Sequence, residues 1–157
     1  ADNTPFVFFF FFSMSSTPVI SSLPVDKELV LKVIPMPSDT NSNGDIFGGW
    51  VMAQVDKAAA VLATRVVQGR VATVAVKEFI FKHPVRVGDL LSFYSSVVRV
   101  GRTSVTVDVE VFAESLATQG RYVKVTQALL TYVAIDEHGQ PRPIATAGTA
   151  PGTGATA

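Results

Sequence analysis

Only one stretch of this chain, from about Gly48 to Val67, carries helical periodicity, and almost everything after it is patterned as strand. Met52, Val55, Ala59, Leu62 and Val66 recur there at spacings of three or four, which predicts an apolar stripe. The many alanines let such a helix lie close against a sheet. Gly69 is the expected terminator. Four segments rich in Val, Phe, Tyr and Thr follow: Val71 to Lys82, Leu90 to Val100, Thr103 to Ala113 and Arg121 to Ile135. Pro84, Gly88, Gly101 and Gly120 punctuate them. The third alternates most clearly, with Thr103, Val105, Val107, Val109 and Val111 on one face and Ser104, Thr106, Asp108 and Glu110 on the other. Ahead of the helix, Leu29 to Val33 predicts a short strand closed by Pro35 and Pro37, and Ser38 to Gly44 a loop. With one helix to cover so much apolar strand, the expected fold is α+β, a single antiparallel sheet curled around a central helix. There is no internal repeat.

Composition narrows the function classes. A chain of 157 residues that is 48% hydrophobic can bury one real core but not two, so one domain is expected over residues 29–144. Lys plus Arg and Asp plus Glu each total 13, which leaves no net basic field to draw the protein onto nucleic acid or anionic lipid. Without cysteine there is no disulfide framework, thiolate zinc site or cysteine nucleophile. Two histidines argue against a histidine-rich metal site, so no metal is expected. A cytoplasmic location fits the lack of disulfides. The apolar run Phe6 to Phe12 is far short of the roughly 18 residues a membrane helix needs, and no basic residue precedes it as a secretory signal requires. Residues 1–28 read as a leader, with 1–13 added ahead of a natural start at Met14 and sheltered by an apolar surface. Residues 145–157 are small, uncharged and turn-rich, the pattern of a flexible tail.

One segment carries chemistry. Met36 to Trp50 sets a lone acid, Asp45, beside a glycine pair, Gly48 and Gly49, that opens the helix. An exposed helix start offers unpaired N–H groups and a positive dipole end, so it can hold an anion or a developing oxyanion. A carboxylate beside such donors suits attack on a carbonyl. The alternative is that Asp45 simply caps the helix, and the two roles can coexist.

The runs PSDTNSNGDIFGGWVMAQVD, GRVATVAVKEFIFKHPVRVGD, VVRVGRTSVTVDVEV and YVAIDEHGQPRPI resemble the YciA-like bacterial acyl-CoA thioesterases of the hotdog fold, from about Leu31 to Ile144. The resemblance implies a five-stranded antiparallel sheet wrapped on a central helix. It also implies homodimers that join two sheets, often as trimers of dimers, and hydrolysis of acyl-CoA to free acid and CoA. CoA enters as part of the substrate; no separate cofactor is implied. Asp45 matches the family's principal catalytic carboxylate. Asp56 matches a helix position where related hotdog thioesterases carry a working acid, supplied to the site by the partner subunit; the alternative is a solvated charge paired with Lys57. Asn41 matches a loop asparagine that positions water or fixes Asp45; an Asx turn is the alternative.

A thioester has a good leaving group, so the demanding step is bringing a nucleophile to the carbonyl carbon while its oxygen gains charge. The N–H groups of Gly48 and Gly49 suit the second task. A helix start favours the ionised carboxylate, so Asp45 either attacks directly to give a mixed anhydride or takes a proton from water; water activation is preferred. For the CoA phosphates the candidates are Lys82, His83, Arg86 and Arg102, the last within the hairpin Gly101, Arg102, Thr103 and Ser104. Two rival functions fit the residues less well. A hotdog hydratase or dehydratase needs a histidine base paired with an acid, yet His83 and His138 both lie outside the loop-to-helix motif. An acyl-CoA sensor would bind without turnover, but such regulators carry a DNA-binding module for which this chain lacks residues and charge.

Overall fold

The computed structural model describes residues 18–145; the phenylalanine run, the expected start at Met14 and residues 146–157 lie outside the described residues. Six strands and one long helix follow in the order β1 (Val19–Ile20), β2 (Glu28–Val33), α1 (Gly48–Val67), β3 (Val71–Phe81), β4 (Asp89–Val100), β5 (Ser104–Ser115) and β6 (Tyr122–Ala134). All pairings are antiparallel: β6 joins β5, β5 joins β4 and β4 joins β2, while β3 and β1 share the other flank of β6. β3 runs beside Thr126 to Ala134, and β1 beside Tyr122 and Val123. The five expected strands are thus present within a residue or two of their expected limits, and the helix packs on the sheet's inner face. The sixth strand, β1, lies in the segment expected to be leader.

Alternation in β5 decides which face is inner. Val105, Val107, Val109 and Val111 are fully buried against the helix, as their spacing predicts. Thr103, expected on that face, instead lies in the turn just before the strand begins. The helix stripe is rotated by about one residue from the expected one. Val51, Val55, Ala58, Ala59, Ala63 and Val67 are buried, whereas Met52 is 41% exposed. Three small alanines on the buried face let the backbone approach the sheet, and the long Met52 side chain turns outward for the same reason, while Leu62 and Val66 stay half-buried at the edge of the core. The helix ends on Gln68 in the left-handed region, φ 52°, rather than on a left-handed glycine. Gly69 serves another need: a Cβ there would collide with the Arg142 guanidinium, which donates to the Val67 carbonyl at 3.2 Å and so caps the helix C-terminus.

The outer face carries charge. Lys27 reaches Asp108 at 2.5 Å and Glu110 at 2.9 Å, Lys124 also pairs with Glu110, and Gln127 donates to Asp108 at 3.1 Å. These β5 acids point away from the helix. The segment between β1 on one flank and β2 on the other therefore crosses the outer face as a strap, pinned there by Lys27.

Candidate active site

The loop before α1 is built to hold Asp45 in one place. Asn41 and Asp45 close it, with Asn41 N–H donating to the Asp45 carbonyl at 2.8 Å and Asp45 N–H donating to Asn41 Oδ1 at 3.2 Å. The same Oδ1 accepts from Asn43 N–H at 2.8 Å, so Asn41 forms an Asx turn. Gly44, at φ +85°, supplies the reversal that an L side chain resists. The loop is then tied to the segment after β3: Ile46 N–H donates to the Val85 carbonyl at 2.9 Å, and Asp45 bridges Arg86 through the backbone.

Asp45 does not cap the helix. Phe47 occupies the cap position and no side chain there accepts a hydrogen bond. Trp50 and Val51 N–H both donate to the Phe47 carbonyl, at 3.0 and 3.2 Å, which leaves Gly48 and Gly49 N–H without an acceptor among the described residues. The Asp45 carboxylate likewise engages no hydrogen bond or ion pair there. It lines a cavity of about 400 Å³ together with Asn41, Gly48, Phe81, Lys82 and His83, over a floor of Ile46, Val51, Pro84 and Val85. The Phe81 ring lies over Gly48, where a Cβ would stand 3.1 Å from its Cζ, and itself packs against Phe79, tilted by 45° with 4.8 Å between centroids.

The remaining candidates are distributed. Lys82 and His83 share the cavity with Asp45, while Arg86 lines a neighbouring cavity of about 360 Å³ with Arg121, on the far side of His83 and Pro84. Arg121 was missed by the sequence reading, since a lone arginine at a strand start carries no signal of its own. Asp56 lies eight residues past Gly48, roughly 12 Å along the helix, and outside both cavities. It does not pair with Lys57; its Oδ1 accepts from Thr73 Oγ1 and from the Tyr132 hydroxyl, each at 2.8 Å. The hairpin Gly101 to Ser104 is closed by Gly101 N–H on the Ser104 carbonyl at 2.7 Å. Contacts of Thr103 with Ala134 and of Arg102 with Ile144 hold it near the C-terminal end of the helix. A 20-residue helix is ~30 Å long, so the expected cation cluster is not assembled within one chain. No group of acids and histidines among the described residues forms a metal site.

The site can therefore hold an anion-forming carbonyl beside an uncommitted carboxylate. Comparison with known proteins places the chain in a family. Residues 43–118 match the Thioesterase superfamily. The acyl-CoA thioester hydrolase YciA of Salmonella typhimurium is 47% identical over 119 residues, covering 74% of this chain and 90% of the relative. Its namesake from Escherichia coli K12 is 47% identical over 117 residues, covering 73% and 89%. Among solved structures, the hexameric thioesterase of Yersinia pestis superposes with a TM-score of 0.74 at 44% identity, covering 79% of this chain and 99% of that one. A hexameric hotdog fold thioesterase of Campylobacter jejuni gives 0.71 at 46% identity, covering 75% and 90%. The chain belongs to the YciA-like acyl-CoA thioester hydrolases of the hotdog-fold thioesterase superfamily, and it is an acyl-CoA thioesterase.

Proposed function

We propose that Asp45 acts as the general base for water attack on the acyl-CoA thioester, with Gly48 and Gly49 N–H as the oxyanion donors. The reading rests on one observation above the others: among the described residues, an unengaged Asp45 carboxylate shares one cavity with Gly48 at a helix start whose first two N–H groups, those of Gly48 and Gly49, have no acceptor. Water loses a proton to Asp45 as its oxygen bonds to the carbonyl carbon, the carbonyl oxygen becomes an oxyanion held by the two N–H groups, and collapse expels the CoA thiolate. The thiolate then takes up the proton. Asn41 spends its carboxamide oxygen on the loop, so its NH₂ is the group left to orient the water.

The working unit in this reading is a homodimer, assembled further as a trimer of dimers. Asp56 lies too far along its own helix to reach its own Asp45, so it serves the cavity of the other copy. The phosphates of CoA fall to Lys82, His83 and Arg86 around the cavity, joined by Arg102 within the Gly101, Arg102, Thr103 and Ser104 turn of the partner.

Release of free thiol from acyl-CoA tests the base. Asp45→Asn lowers kcat by roughly a hundredfold or more, in the range expected for loss of a general base, with KM little changed. Single-turnover hydrolysis in ¹⁸O-water then separates the two routes: label confined to the product acid fits water activation, and label in the Asp45 carboxylate identifies direct attack instead.

A further inference from the structure

Tyr132 is among the most completely buried large side chains of the described fold, 1% exposed, and it stands on the inner face of β6 opposite Val105. A buried phenol needs one hydrogen-bond partner, and the Asp56 carbonyl at 2.9 Å would be enough to satisfy it. The hydroxyl nevertheless stands between that carbonyl and Asp56 Oδ1, 2.8 Å from the latter. Thr73 Oγ1, from β3, reaches the same carboxylate oxygen at 2.8 Å. Two hydroxyls from two different strands thus converge on one oxygen of one helical acid. Oδ2 is left without a protein partner among the described residues. Burial first, and then the neighbouring Asp56 carboxylate, push the Tyr132 phenol up, so it remains a donor throughout the physiological range.

Placement adds to the geometry. Thr73 is exposed on β3, whose one strand neighbour among the described residues is β6, so the Asp56 carboxylate is held by a strand whose second flank is free of those residues. A carboxylate wanted only for solubility needs no such clamp. An exposed acid on a helix ordinarily turns freely in water, and fixing it costs side-chain entropy that only a specific orientation would use.

We propose that Tyr132 and Thr73 are positioning residues that lock the Asp56 carboxylate by Oδ1 and present Oδ2 to the active site of the partner subunit. The inference rests on the reading of Asp56 as a working acid and goes beyond it by naming what aims the group. Tyr132→Phe removes one oxygen and keeps the ring packing; Thr73→Val removes the other donor at an exposed strand position where Val is well tolerated.

Thiol-release kinetics on the assembled enzyme provide the test, with thermal melts to confirm folding. Each single variant should lower kcat about tenfold or more with KM within about twofold, because a hydrogen bond to a charged group is lost. Thr73→Ser, which restores a hydroxyl, should recover most of the Thr73→Val loss. In an Asp56→Asn background, Tyr132→Phe should add little further loss, since the group it aims is already gone. Wild-type kcat in both Tyr132→Phe and Thr73→Val, or a loss from Tyr132→Phe that persists undiminished in Asp56→Asn, overturns the positioning role. Full activity in Asp56→Asn alone instead brings down the Asp56 reading, and this inference with it, so the two failures are told apart by which variant stays active.

Discussion

Gly44 shows how much of the site depends on a single backbone angle. Its φ of +85° turns the chain directly before Asp45, and nothing within 4 Å of a built Cβ would resist a side chain there. The cost of substitution is therefore conformational alone. Gly44→Ala should destabilise the fold by about 1–2 kcal/mol, the strain of a left-handed L residue, read as a lower urea midpoint at unchanged slope. It should also lower kcat more than it raises KM, because the loop that carries Asp45 is what has to move; an unshifted midpoint would mean that the turn relaxes at no cost. At this scale the sequence is most informative where the chemistry is local. Asp45, the glycine pair and Asn41 lie within nine residues, so one segment reveals them together. The partners of Asp56 lie 17 and 76 residues away, and neither a strand tyrosine nor an edge threonine announces itself.

Among the elements, strands and helix were legible because periodicity is a local property, but their neighbours were not. The alternation of β5 identifies an inner face; it does not say that β6 would lie between β5 and β3, which begins 51 residues earlier than β6. The one-residue rotation of the helix stripe has the same origin, since the small alanines Ala58, Ala59 and Ala63 take the buried face only because the sheet lies against it, which helical spacing alone does not reveal. The strap carrying Lys27 was hidden for a different reason: a short run with no periodicity has nothing to read. Its anchor has a pH signature. Burial acts to raise the Glu110 carboxyl, but hydrogen bonds from Lys124 and Lys27 outweigh it and hold the group below its ordinary value of 4.5. A depressed carboxylate stabilises the fold above its unfolded-state value and loses that contribution as pH falls through the folded-state value. Stability should therefore decline on acidification below about 4.5 in part through Glu110. Glu110→Gln should cost about 1–3 kcal/mol at neutral pH, leaving Lys124 poorly matched, and should flatten that acid limb. Denaturant titrations from neutral pH downward read both effects; an acid limb of unchanged slope would assign the loss to other carboxylates.

On the scale of the whole molecule, the candidate residues are spread along one helix. Lys82, His83 and Asp45 gather at the start of α1, Asp56 lies partway along it, and the Gly101–Ser104 hairpin stands near its far end. Meanwhile β3, whose second flank meets no strand among the described residues, carries Val74, Val76, Ile80 and Phe81, each 45% exposed or more. A long apolar edge strand left bare invites association with another chain, and natural proteins that tolerate one usually cover it. Both features have the same remedy. If a second copy adds its own β3 alongside, with its helix running the opposite way, the start of one helix meets the middle of the other. One contact would then cover the bare edge and bring the candidate residues together, which ties the activity proposed above to assembly. The two hexameric thioesterases matched above are consistent with this arrangement. Val76→Lys places a charge at an exposed position of β3 that lines neither cavity. It should shift sedimentation toward smaller species and make specific activity fall steeply on dilution, with the loss reversed at high protein concentration. A variant that sediments as a monomer and keeps full kcat would show that one chain is sufficient, and would remove the partner's Asp56 from the mechanism.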